Sequence, residues 1–173
     1  MCNSSRALYN SALYESNIYF NETGKYIGFG KLDKLMKNHK SNPMYRFLPA
    51  QLSQQILRKL DKNYTSFFKL LKKKSNNDYD KKINTPKYKK KGSKYNLIFQ
   101  KQSFRIKDGK ILLSIPKYHK DLYNKKFIEM LLPDYIKDYT IKQIEIKPMR
   151  RFFKAFIIYE KIESIEVNNT LKN

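Results

Sequence analysis

Between residues 48 and 71 the apolar positions recur at helical spacing. At about 100° per residue, Leu52, Ile56, Leu57, Leu60, Tyr64, Phe67, Phe68 and Leu71 fall on one side. Gln51, Gln54, Gln55, Arg58, Lys62, Thr65 and Lys69 fall on the other, with Asp61 at the edge. Pro49 suits the first turn of such a helix, where its missing N–H has no partner to lose. The pattern predicts a helix about 36 Å long. One face is built for a core, and the other carries amides and cations.

Upstream, Leu8, Tyr9, Ala12, Leu13, Tyr19 and Phe20 predict a helix over 3–20, stopped by Gly24. Leu32, Leu35 and Met36 predict a short buried stripe over 31–37, and Ser41, Asn42 and Pro43 turn the chain into the long helix. Short connections make these three a small bundle. From Tyr95 the period changes to two. Leu97, Ile98 and Phe99 open a strand. Residues 104–107 and 110–113 flank Asp108-Gly109, the two-residue loop of a hairpin. That register sets Ile106 opposite Ile111 and Phe104 opposite Leu113 on one face. Pro116 ends the second strand. The run 126–132 is ambiguous in period, and its shortness and the closing Pro133 select a strand. Ile141, Ile144 and Ile146 alternate less cleanly over 140–147, and 152–167 reads as a long, largely buried strand. The expected fold class is α+β: a small N-terminal helical bundle, then an antiparallel β-sheet of about five strands curled into a barrel. The expected organisation is a helical region over 1–74, a basic linker over 75–94 and a β region over 95–173.

Charge sharpens this picture. The 173 residues carry 37 Lys plus Arg against 15 Asp plus Glu, a formal net charge of +22. Self-repulsion on that scale disfavours a compact state unless a polyanion neutralises it. Nucleic acid is the polyanion this points to, and an anionic membrane is the rival. No apolar run is long enough for a spanning helix, and no basic-then-apolar signal opens the chain. With 14 Tyr and 11 Phe the chain is built to fold rather than to serve as a basic tail. Aromatics beside cations suit base stacking with backbone contact. Cys2 is the sole thiol, so there is no disulfide framework and no Cys cluster for zinc. The expected location is cytoplasmic, nucleoid-associated, without a membrane partner.

Two stretches carry candidate contacts. On the long helix, Gln51, Gln54 and Gln55 suit adenine edges, Arg58 a guanine or a phosphate, and Lys62 a phosphate. The other reading is a solvated polar face. Residues 72–94 hold ten Lys with Pro86 and Gly92 and read as a mobile basic linker. Lys87, Lys89, Lys90 and Lys91 there are phosphate contacts or a solvated boundary. Catalytic chemistry finds little support. Asp78 and Asp80 lack a third ligand. His39 and His119 sit in Lys-rich stretches and read as surface residues outside any triad. Gly24, Gly28 and Gly30 precede no Gly-Lys-Ser/Thr and read as turn residues. No catalytic residue, metal site or cofactor is expected.

Several ordered motifs carry a resemblance. They are LPAQLSQQILRKLDKNYTSFF, PKYKKKGSKYNLIFQKQSF, an Asp-Gly-Lys hairpin ending Leu-Ser-Ile-Pro, IKQIEIKP, and an aromatic strand ending Tyr-Glu-Lys. With the opening CNSSRALYNSALYESNIYFNETGKY, they cover nearly the whole chain. Together they resemble the TnpB (OrfB) family, transposon-encoded RNA-guided DNA nucleases related to the type V CRISPR effectors. The matching part is the family's N-terminal half, a wedge β-barrel with a helical recognition insertion. The resemblance implies guide RNA and target DNA as partners. It places Phe29, Gln54 and its neighbours, and Gln100, Lys101 and Gln102 where the family meets the target-adjacent duplex and the guide scaffold. Ala50 stands where the family's reading residue is often cationic.

The family's RuvC-like half, with three carboxylates for two metals and a four-Cys zinc ribbon, has no counterpart here. Mg and Zn belong to that half. The family's short strand before the first helix also lacks a counterpart, which would leave an unpaired barrel edge. The expected function is therefore nucleic-acid binding without a nuclease site. The alternatives are half of a split nuclease completed by a separate RuvC-like chain, or an inactive product of a decayed transposable element.

Overall fold

The structure is a computed structural model that describes residues 1–39 and 43–161. Three helices come first: α1 (Cys2–Thr23), α2 (Gly28–Asn38) and α3 (Ala50–Ser75). Then follow β1 (Leu97–Gln100), β2 (Phe104–Lys107), β3 (Lys110–Ser114), a short helix α4 (Lys117–Tyr123), β4 (Phe127–Leu131), β5 (Thr140–Pro148) and β6 (Phe153–Glu160). Short 3-10 turns lie at Pro43–Tyr45, Lys101–Ser103 and Asp134–Ile136. The class is α+β, as the two sequence periods predict.

α1 ends where Gly24 takes φ 67 and returns its N–H to the Phe20 carbonyl at 2.8 Å. That left-handed turn costs glycine least. α2 begins earlier than its stripe suggests, at Gly28. Leu32 and Met36, four residues apart, are buried, whereas Leu35 lies off that line and is 37% exposed. The turn expected at 41 and 42 lies outside the described residues. Pro49 sits one position before the first helical residue of α3, with ψ 136. Leu52, Ile56, Leu57, Leu60 and Tyr64 then bury the predicted face. Phe67 and Phe68 are half-buried, and Leu71 is 40% exposed, so the stripe fades towards the C-terminus. The helix continues one turn further, through Lys72, Lys73 and Lys74. Lysine is a good helix former, and its charge is favourable at a helix C-terminus.

All strand pairs among the described residues are antiparallel. They form two three-stranded sheets, in the orders β1-β5-β6 and β2-β3-β4. The hairpin register is the predicted one, Ile106 opposite Ile111 and Phe104 opposite Leu113. Asp108 and Gly109 both take positive φ, 51 and 68, which matches the turn to the strand twist. In β5 a bulge falls between Ile141 and Gln143. The extra residue lets Ile141 and Ile144, three apart, both reach the core, which is why alternation falters there. One buried cluster unites Leu8, Leu32 and Leu57 of the helices with Phe99, Ile111, Leu113 and Ile144 of the strands.

Three expectations need correction, and one described element, α4, has none behind it. The described strands do not close into a barrel: they are six, in two separate sheets. β6 is not a buried strand. Among the described residues it pairs only with β5, and every residue but the half-buried Ile157 is exposed. The remainder of the expected strand, 162–167, lies outside the described residues. The short helix α4 has no signal in the sequence. Its Tyr118, Leu122 and Tyr123 are exposed, so no buried stripe announces it. Finally, the stretch 72–94 is not a free linker. Its first residues belong to α3, and its second half is pinned to α1.

Candidate nucleic-acid interface

The polar face of α3 survives folding as an exposed line. Arg58, Lys62, Thr65, Lys69, Lys72 and Lys73 are exposed, and Gln51, Gln54 and Gln55 are half-buried. All nine fall within about 60° of one direction around the helix axis. From Gln51 to Lys73 the line rises about 33 Å. None of its cations joins an ion pair among the described residues. The guanidinium of Arg58 lies 4.0 Å from the centre of the Phe29 ring, presented by the first turn of α2. Such a stack restrains the guanidinium plane without consuming its hydrogen-bond donors.

The glutamines divide differently from what their spacing suggests. Gln51 Nε2 donates to Gln102 Oε1 at 2.8 Å, and Ser103 Oγ donates to Gln51 Oε1 at 2.5 Å. This pair fastens α3 to the turn before β2. Gln54 hydrogen-bonds the Tyr45 hydroxyl, which itself donates to Asp33 Oδ1 at 2.8 Å. Burial, then the Asp33 carboxylate, pushes the Tyr45 phenol well above its ordinary range. Gln100 Nε2 donates to Gln143 Oε1 at 2.8 Å, across the register pair of β1 and β5. Gln51, Gln54 and Gln100 are thus engaged in holding the fold. Lys101 and Gln102 are exposed on their turn.

The basic segment also divides. Asn10 Oδ1 accepts the Lys89 N–H at 2.8 Å, and Asn10 Nδ2 donates to the Lys89 carbonyl at 2.9 Å. Lys89 Nζ then sits 4.9 Å from the Tyr9 ring and 5.1 Å from the Tyr95 ring. Lys89 is half-buried, while Lys87, Lys90 and Lys91 are exposed. Lys59 of α3 approaches the same Tyr95 ring at 5.4 Å, so the basic segment and α3 meet there.

A third group escapes sequence reasoning because its stretch reads as buried. Phe152 and Phe153 are 60% and 54% exposed at the start of β6. Lys94 lies 4.8 Å from the Phe153 ring, and Lys147 and Lys154 lie 4.3 and 5.1 Å from the Phe156 ring. The signal is present as Arg150-Arg151-Phe152-Phe153-Lys154-Ala155-Phe156, cations and aromatics interleaved. Exposed rings flanked by cations suit stacking of unpaired bases with backbone contact.

Neither histidine is a free surface residue. His39 Nε2 lies 3.2 Å from Glu15 Oε1, and His119 Nε2 lies 3.4 Å from the Met1 amino nitrogen. Among the described residues no three His, Cys, Asp or Glu side chains are grouped to hold a metal ion. No helix among them is long and apolar enough to cross a membrane. No family model matches the chain, and no curated protein matches it.

Proposed function

We propose that this chain is a nucleic-acid-binding protein of the TnpB-like kind, gripping guide RNA and target-adjacent DNA without a nuclease site of its own. The observation that carries this reading is the line of exposed cations and amides on α3, about 33 Å long and so about one turn of duplex. The ordered motifs that resemble the TnpB family support it. A membrane-surface helix would turn its apolar face outward. From Leu52 to Tyr64, α3 buries that face in the core and offers water its polar one.

Roles follow from chemistry. Lys62, Lys69, Lys72 and Lys73 neutralise phosphates and set register without reading sequence. Arg58, steadied on Phe29, makes a bidentate contact with a guanine or a phosphate. Lys87, Lys90 and Lys91 extend the phosphate contacts. Phe152, Phe153 and Phe156 stack unpaired bases beside Lys94, Lys147 and Lys154.

A salt titration with structured RNA tests the reading. If six phosphates are neutralised, log K against log salt should have a slope of about −4 to −5. A slope near zero would sink it. DNA incubated with the chain and Mg²⁺ or Mn²⁺ should stay intact, and EDTA-sensitive cleavage that persists through purification would overturn the absence of a nuclease site.

A further inference from the structure

The first helix is the exception in this basic chain. All 37 Lys and Arg but Arg6 lie beyond Gly24. α1 holds that one cation, two carboxylates and no lysine in its 22 residues. It buries Leu8, Tyr9, Ala12 and Leu13. At about 100° per residue, the opposite side carries Ser4, Ser11 and Ile18 at every seventh position, and Ala7, Tyr14 and Asn21 three residues further on. None of the six is charged. Tyr14 is 56% exposed, Asn21 is exposed, and Ala7 and Ile18 are half-buried. A face that meets phosphates carries lysine, as α3 does. Tyrosine among uncharged residues, with charge kept to the margins, is the composition of a contact between proteins.

The two margins of this face differ in sign. On one, Asn10 and Asn17 hold the basic segment. Asn10 bonds the Lys89 backbone at 2.8 and 2.9 Å, and Asn17 Nδ2 donates to the Tyr88 hydroxyl at 3.4 Å. The Tyr95 N–H reaches back to the Cys2 carbonyl at 3.1 Å, so the segment runs antiparallel to α1 and Lys87 lies towards its Asn17 end. Lys87 is exposed and joins no ion pair among the described residues. On the other margin stand Glu15 and Glu22, two turns apart. Glu15 lies 3.2 Å from His39 Nε2. Glu22 is exposed and joins no ion pair among the described residues.

Symmetry selects the occupant. Two copies packed on this face with parallel α1 helices share a two-fold axis along the helices, so the basic margin of each meets the acidic margin of the other. In a parallel seam of sevenfold repeat, a flanking position faces the one five residues on in the second copy. Asn10 then faces Glu15, Asn17 faces Glu22, and Lys87 comes beside Glu22 of the second copy. An antiparallel pair would set basic margin against basic margin, which repulsion opposes. We propose that this face of α1 joins two copies of the chain as parallel, in-register helices. The charge of +22 on each copy opposes their approach, and here they can touch with no cation directly opposite another. The seam is short and partly polar, so the dimer is a weak one, of micromolar rather than nanomolar affinity. Lys90, Lys91 and the polar face of α3 stay available to phosphates.

Sedimentation of the nuclease-treated full chain tests this without nucleic acid, so its failure leaves the nucleic-acid reading standing. Salt at about 0.3 M screens the long-range repulsion. The expected result is a monomer–dimer equilibrium between about 5 and 200 µM. Tyr14→Lys sets two cations on the two-fold axis and should weaken the dimer at least about tenfold, with the urea midpoint unchanged. In a Cys2→Ser chain, Asn21→Cys should form an interchain disulfide on mild oxidation, because parallel helices set position 21 against itself. Lys69→Cys on α3 should not. A monomer at every concentration would overturn the proposal and leave the face to a different protein. So would a dimer that Y14K leaves intact, or cysteines at 21 and 69 that cross-link equally or not at all. Weaker RNA binding by Y14K would put RNA on this face and equally overturn it.

Discussion

The guanidinium carbon of Arg58 sits 4.0 Å above the Phe29 ring, so the first turn of α2 steadies the middle of α3. Lysine at position 58 would keep the charge and lose the stacked plane. Arg58→Lys should therefore erase preference among short duplex motifs, by about 1–3 kcal/mol for one bidentate pair. Stability should stay within about 0.5 kcal/mol, because the site is exposed. Phe29→Leu should shift preference in the same direction by less. A motif-library binding assay beside a urea melt reads both effects. Unchanged preference in R58K would remove Arg58 from the interface.

Gln51 and Gln55 lie on the same helix face and should behave in opposite ways. Gln51→Ala strips Gln102 and the buried Ser103 hydroxyl of a partner, which should cost about 1–3 kcal/mol of stability. Gln55→Ala should cost no more than about 0.5 kcal/mol. Chemical denaturation separates them, and equal losses would contradict the structural assignment of Gln51.

Lys89 and its neighbours should also part company. Lys89→Met removes a cation held between Tyr9 and Tyr95 and should destabilise the fold by about 0.5–2 kcal/mol. Lys90→Ala with Lys91→Ala should leave stability alone. It should flatten the salt slope by about 0.7 for each single-strand phosphate that is no longer neutralised. A double variant with the wild-type slope would return both lysines to plain solvent.

Acid should weaken the fold through His119. Burial, helped by the nearby Met1 amino group, holds its imidazole below the ordinary value of 6.5. The native state therefore takes up this proton less readily than the unfolded chain. The stability tied to neutral His119 is intact above about pH 6.5 and is lost as pH falls through the lower folded value. Urea midpoints at about pH 7.5 and pH 5.5 should draw together in H119Q relative to the parent chain. An unchanged gap would place the acid sensitivity elsewhere.

What can be read from the chain alone depends on how local the determining contacts are. Asp108-Gly109 and its flanking alternation define a hairpin register because turn and strands lie within ten residues. Gly24 stops α1 for an equally local reason. β6 defeats the same reading because its apolar run resembles a buried strand, while its exposure depends on which elements cover it. The face of α3 is legible as a direction on a helix, and Arg58 falls on it as its spacing predicts. The fates of Gln51 and Gln100 are hidden, since their partners lie 51 and 43 residues away. Glutamine suits a base edge and another glutamine equally well, so residue type alone cannot choose.

The clamp between Asn10 and Lys89 closes a span of 79 residues. During synthesis, α1, α2 and α3 are all made before Lys89 exists. At about 5–20 residues per second, Asn10 waits roughly 4–16 s for its partner. Ser5 waits longer, because its hydroxyl donates to the Asn96 carbonyl. The exposed flank of α1 against which Tyr88, Lys89 and Tyr95 later settle is thus bare on the nascent chain. A ribosome stalled between residues 75 and 88 would display that flank, and one stalled well past residue 96 would hide it.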